Sequence, residues 1–107
     1  MFVAAWNIDL NYGSREDVLR IVKEFDARSR EIWKSKRSRI LWGSIGVPES
    51  RLVLEREFET LADLEASWDG LRKLGPEAFR EMIEKMKPHI VPGSPRWEVY
   101  RVIDQQS

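Results

Sequence analysis

Residues 2 to 11 divide by a period of two into an apolar row, Phe2, Ala4, Trp6, Ile8 and Leu10, and a more polar row, Val3, Ala5, Asn7, Asp9 and Asn11. That period is the signature of a strand. Gly13 interrupts it, and Ser14 with Asp17 three positions on makes an approximate capping box whose oxygens can accept from the free N–H groups of a first helical turn. Val18, Ile21, Val22, Phe25, Ile32 and Trp33 then recur at spacings of three and four, with Ser29 filling one step, which predicts a helix from there to about residue 35. Residues 39 to 47 are rich in β formers, Pro48-Glu49-Ser50 supplies a turn, and 51 to 58 read as a partner strand, most economically as an antiparallel hairpin. Thr60 with Asp63 repeats the capping pattern ahead of a second helix whose stripe is Leu61, Leu64, Trp68 and Leu71. Gly75-Pro76 ends that helix, and Phe79, Met82, Ile83 and Met86 give a short third one its apolar face up to Lys87-Pro88. After the turn Pro92-Gly93-Ser94-Pro95, Trp97 to Ile103 forms the last strand, and 104 to 107 fray.

The order strand, helix, strand, strand, helix with a broken extension, strand is the ferredoxin-like split β-α-β plan. It predicts an α+β domain with a four-stranded antiparallel sheet and its helices on one face. A length of 107 residues suits a single such domain over 1–107. In an isolated domain of this kind the helix-free face meets water, so each strand should alternate cleanly. Here Ile40 and Trp42 oppose Leu41, Ile45 and Val47, and Trp97, Val99 and Ile103 oppose Tyr100 and Val102. An apolar surface on both faces predicts an association surface and, in its simplest form, a twofold homodimer through the sheet.

Eighteen Lys and Arg balance eighteen Asp and Glu, which leaves no net field to draw in nucleic acid or an anionic membrane. The absence of cysteine removes disulfides, thiolate metal sites and cysteine nucleophiles, and fits a reducing, cytoplasmic setting. The N-terminus lacks a basic lead and turns polar after six positions, so no signal peptide is expected, and no apolar run approaches membrane-spanning length.

The stretch from Phe58 through Thr60-Leu61-Ala62-Asp63-Leu64-Glu65-Ala66-Ser67 to Trp68, together with the tail Val91-Pro92-Gly93-Ser94-Pro95-Arg96-Trp97-Glu98-Val99, resembles the dimeric α+β barrel superfamily, and within it the NIPSNAP-like branch. The likeness runs over nearly the whole chain. It implies a homodimer whose sheets close into a barrel, while activity varies across that superfamily from haem-degrading and cofactor-independent monooxygenases to proteins with no assigned reaction.

Two sets of site candidates follow. Asn7, Asp9, Asn11, Glu55 and Glu57 alternate off the strands, so a space between paired sheets, or between sheet and helices, would be apolar with a few convergent polar groups, as small-molecule pockets are. Asp9, Trp42, Glu55, Glu57, Tyr100 and Arg101 are its candidate ligand-binding residues; the plainer reading pairs these acids across strands with Arg51, Arg56 and Arg101. Glu55 and Glu57, two residues apart on one strand face, could also act as an acid/base pair. The resemblance to the small barrel monooxygenases, in turn, points to Asn7, Trp68 and His89 as catalytic candidates: Asn to hold substrate oxygen, Trp as an apolar wall, His to ligate haem iron or move a proton. Trp68 equally fits the core stripe, His89 equally fits a helix C-terminus, and the 21 residues between them exceed that family's spacing.

No metal and no cofactor are expected, with haem arising under the monooxygenase reading alone. The one histidine precludes His-rich metal sites, and Gly43-Ser44-Ile45-Gly46 lacks the Lys of a phosphate loop. The basic cluster Arg28, Arg30, Lys34, Lys36, Arg37 and Arg39 reads as complement to a helix C-terminus and to acids further along the chain.

Overall fold

Strand β1 (Phe2–Asp9) lies at the heart of the sheet, paired antiparallel with β3 (Arg51–Phe58) on one side and β4 (Arg96–Arg101) on the other. Strand β2 (Arg37–Trp42) joins the outer edge of β3, which gives the order β2-β3-β1-β4. Helices α1 (Arg15–Arg28), α2 (Leu61–Lys73) and α3 (Pro76–Met86), with a 3-10 turn at Lys87–His89, complete the ferredoxin-like α+β plan expected from the patterning. The computed structural model describes residues 1–74 and 76–104, apart from the side chains of Pro76 and Phe79. The expected break at Gly75, the place of Phe79 on the third helix and the end of the tail lie outside the described residues.

Period-two alternation decides what each strand buries. Ile8, Leu10 and Leu52 join Val18 and Val22 of α1 and Met82 and Met86 of α3 in one cluster, and Ala4 and Phe58 join Leu64 of α2 in a second. All of these strand residues share one face, so the helices cover one side of the sheet. Full burial of a large apolar side chain is worth roughly 1.5–3 kcal/mol, and Ile8, Leu52, Phe58 and Met86 are completely enclosed.

Four elements have boundaries that differ from the pattern-based expectation. Helix α1 stops at Arg28 rather than near residue 35, because buried Ser29 turns its hydroxyl back onto Phe25 O (2.8 Å) and ends the ladder. Trp33 Nε1 donates to the same hydroxyl (3.1 Å), so Ile32 and Trp33 reach the interior from a loop instead of a helix. That loop lies close on α2: a Cβ at Gly70 would stand 2.6 Å from Ile32 Cγ2. Strand β2 spans Arg37–Trp42, not 39 to 47; Gly43 to Val47 form the hairpin loop, leaving Ile45 and Val47 exposed outside the sheet. Strands β1 and β4 end early, at Asp9 and Arg101, with Leu10 bridging to Ile90 instead.

Thr60 caps α2 as expected, accepting from Asp63 N. Ser14 does not cap α1 with its side chain; its Oγ meets His89 Nδ1 at 3.0 Å. Ser67 ties the loop down: its buried Oγ donates to Asp63 O (2.9 Å) and accepts from Lys34 N (2.8 Å). Ser67→Ala leaves the Lys34 N–H without its acceptor, so urea unfolding should show a loss of about 1–2 kcal/mol. A loss near zero would mean that water replaces the bond.

Candidate functional site

Where α1, α2 and α3 arch over the sheet they leave a cavity of about 870 Å³. Its floor is Trp6, Leu54 and Trp97, which register side by side across β3, β1 and β4. Its walls come from Val22 and Phe25 on α1, Trp68 and Leu71 on α2, and Met82 and Ile83 on α3. Four of the five tryptophans line it: Trp6, Trp33, Trp68 and Trp97. Trp97 is the hinge of the cluster, tilted at 33° to Trp6 (centroids 6.3 Å apart) and nearly edge-on to Trp68 (5.6 Å, 64°), the offset geometries that aromatic quadrupoles favour.

Polar groups enter this wall at few points. Arg56, on the floor side of β3, forms an ion pair with Asp26 of α1 and lays its guanidinium over the Trp33 ring, 3.9 Å from the centroid. Trp33 is in turn braced by Phe58, centroids 6.4 Å apart. Arg72 and Arg80 stand on the helical side, the former paired with Asp69. The Trp68 indole Nε1–H is buried without a hydrogen-bond partner among the described residues.

The sequence-derived candidates divide among separate places. Trp68 lines the cavity. Asn7 lies on the opposite face of the sheet, buried, with its Nδ2 donating to Ala5 O (3.2 Å). His89 ends the 3-10 turn, held at Nδ1 by Ser14 Oγ, and does not reach the cavity wall. The structure therefore does not bring Asn7, Trp68 and His89 together. Nor does it offer the cavity a nitrogen ligand for haem iron from the sole histidine, so haem ligation does not fit this wall.

Asp9, Glu55, Glu57 and Tyr100 share the helix-free face, whereas Trp42 packs from the other side against the core with Arg15 over its ring (4.7 Å), and Arg101 sits over Phe2 (5.6 Å). The acids on the helix-free face meet cross-strand cations: Arg51 binds Asp9 (3.0 Å), and Arg39 binds Glu55 (2.7 Å) from the directly opposed register position. The basic cluster is likewise answered within the chain, by Arg28–Glu81 and Lys36–Glu59 as well as Arg39–Glu55. The cavity's own polar centre, Arg56 with Asp26, was not singled out by sequence reasoning. Five tryptophans in 107 residues were the available signal.

On the helix-free face, Tyr100 Oη donates to Glu98 Oε2 (2.6 Å) and Arg96 Nε to Oε1 (3.2 Å). The Tyr100 hydrogen bond foremost, with the Arg96 charge, holds the Glu98 carboxyl below its usual range, and the same bond raises the Tyr100 phenol. For a depressed carboxyl the stabilisation is present above the unfolded carboxylate pKa and disappears as pH falls through the folded value. Alkaline titration of Tyr100 absorbance should therefore shift downward in Glu98→Gln; an unmoved curve would mean that the bond does not form in solution.

The sequence matches no family model and no curated protein. Solved structures do share its shape. An uncharacterized NIPSNAP-like domain protein from Burkholderia xenovorans superposes with a TM-score of 0.73 at 15% identity, over 99% of this chain and 88% of that one. A NIPSNAP family protein from Agrobacterium tumefaciens gives 0.72 at 16% identity, over 96% and 93%. A putative antibiotic biosynthesis monooxygenase from Nitrosomonas europaea gives 0.68 at 14% identity, over 97% and 100%. What this chain shares with them is the ferredoxin-like α+β fold, a four-stranded antiparallel sheet with its helices on one face. At these identities the likeness concerns the fold alone, and the ferredoxin-like expectation and the NIPSNAP-like resemblance both agree with it. Among the described residues no helix is long and apolar enough to cross a membrane.

Proposed function

We propose that this protein binds a small planar aromatic molecule in the tryptophan-lined cavity between helices and sheet. The observation that carries this reading is the convergence of Trp6, Trp33, Trp68 and Trp97 on one space of about 870 Å³. That volume lies within the roughly 300–1,000 Å³ of ligand pockets. A flat ring system slotted among the indoles exchanges water for dispersion and aromatic contacts on these walls.

The test is intrinsic tryptophan fluorescence during titration with the neutral probe 2-naphthamide. Saturable quenching is expected, and Val22→Phe, which pushes a ring into the space from α1, should weaken it at least about tenfold, the equivalent of roughly 1.4 kcal/mol. Quenching that never saturates, or that Val22→Phe leaves alone, would refute the reading.

A second reading is favoured by the monooxygenase among the structural neighbours: the bound aromatic is oxidised by dioxygen without a cofactor. Oxygen consumption with polyphenols, measured beside a Val22→Phe control, decides it; equal background rates in the two proteins would remove it.

We further infer that the helix-free face is covered by a second copy of this chain. Register places four arginines there (Arg37, Arg39, Arg51, Arg96) with four acids (Asp9, Glu55, Glu57, Glu98), around Val3, Ala5, Leu41 and Val53. A surface with equal numbers of both charges around an apolar centre is self-complementary, as a twofold contact requires. Light scattering at micromolar concentration should give a dimer, and Val53→Lys a monomer. A monomeric wild type would overturn this part alone.

A further inference from the structure

The cavity's hydrogen-bonding inventory is one-sided. Arg56 is largely buried, its side chain only 13% exposed, yet of the five N–H donors of a guanidinium, the one acceptor that it meets among the described residues is Asp26 Oδ1. Among the described residues, the Trp68 Nε1–H is the buried side-chain donor with no acceptor. Arg80 has no ion-pair partner among the described residues, and Arg72 and Arg80 add positive charge to the same wall, where Asp26 is the sole acid. Buried donors left unpaired are costly, and the cost is recovered when something supplies acceptors. The one carboxylate on this wall, Asp26, is already met by Arg56.

Arg56 is also held ready. The Trp33 face fixes the plane of its guanidinium from one side, Phe58 fixes Trp33, and Asp26 fixes one edge. A planar fork immobilised in advance loses little further entropy when it grips a planar anion. Asp26 is about three times as exposed as Arg56, 43% against 13%, so the acid can swing toward water while the arginine stays.

From these donors we infer that the ligand of this cavity is an aromatic anion, a flat ring system carrying a carboxylate or an ionised phenol. Arg56 receives the oxygens, and Asp26 competes with the ligand for the same guanidinium. This inference rests on the binding function proposed above and specifies its chemistry. In the bound state the ring lies among Trp6, Trp68 and Trp97 and the anionic oxygens point toward Arg56.

The experiment compares two probes of nearly equal shape, 2-naphthoate and neutral 2-naphthamide, by tryptophan fluorescence and calorimetry near neutral pH. The charged probe should bind about tenfold or more tightly, the usual scale for hydrogen bonds to a charged group. Arg56→Met should erase that preference, the naphthoate losing at least about tenfold more affinity than the amide. Asp26→Asn, at a half-exposed position that leaves the core intact, should enlarge the preference because the competing charge is gone.

If Arg56→Met fails to fold, Asp26→Asn decides, and a preference that stays the same or shrinks there overturns the inference. A preference that survives Arg56→Met also overturns it. Equal affinity of both probes for the wild type would overturn the anion assignment and leave the cavity's aromatic-binding role standing. Failure of both probes to bind would remove that role as well.

Discussion

Replacing Phe58 by alanine should lower the unfolding free energy by about 3–5 kcal/mol, the range for deleting a buried phenyl group. The phenyl ring is completely buried at the end of β3 and sits between Ala4 of β1 and Leu64 of α2. The surroundings cannot close over the gap easily, because Ala4 has no longer side chain to swing in and Trp33 is tied to Ser29 by its indole nitrogen. The midpoint in urea should fall with the slope unchanged, since the same surface is exposed on unfolding. Phe58→Leu, which keeps most of the volume, should cost under about 1.5 kcal/mol. Similar losses for the two variants would show that the core here is loose. Phe58→Leu has a functional readout too: it removes the ring that braces Trp33, so the naphthoate preference should weaken even though no group touching the ligand has changed.

Gly43→Ala should destabilise the chain by about 3 kcal/mol, the upper end of what overpacking usually costs. A Cβ there would stand 1.8 Å from Pro48 O and 2.9 Å from Pro48 C, so the clash is with backbone and no rotamer change can relieve it. The hairpin cannot simply open, because Gly43 N donates to Arg51 O (2.8 Å) and Arg51 N to Pro48 O (3.0 Å), the two bonds that close the turn between β2 and β3. Hydrogen exchange should show Arg51 and Gly43 losing protection before the β1 amides do. Wild-type stability and exchange in Gly43→Ala would mean that the loop moves aside at no cost.

The elements and their order could be read from the chain because their causes are local. A period of two across β1, a Thr60–Asp63 cap and an apolar stripe along α2 each depend on neighbours within a few residues. The boundaries that differed were settled by partners distant in sequence or by competing side-chain bonds. Ser29 looks like a weak helical step until its hydroxyl is seen to bond back to Phe25 O and receive Trp33 Nε1. Ser14 looks like a cap until His89, 75 positions away, takes its oxygen.

The candidate site was legible only in part. Trp68 was found, but as a member of a group that the structure separates: Asn7 faces away on the other side of the sheet, and His89 is occupied by Ser14. Composition announced that tryptophan is abundant, and alternation announced that the sheet has two unlike faces. Neither could reveal that Trp6, Leu54 and Trp97 stand in line, because that follows from the pairing of Trp6 with Leu54 on β3 and with Trp97 on β4. A shift of one residue in either register would turn one of those side chains to the opposite face.

By itself, then, the sequence determined the ferredoxin-like order, the capping of α2 and the even balance of charge, since these arise from short-range periodicity and composition. Tertiary structure alone decided that four indoles and the Arg56–Asp26 pair line one cavity, because strand register and helix docking bring together residues that lie up to 91 positions apart, as Trp6 and Trp97 do.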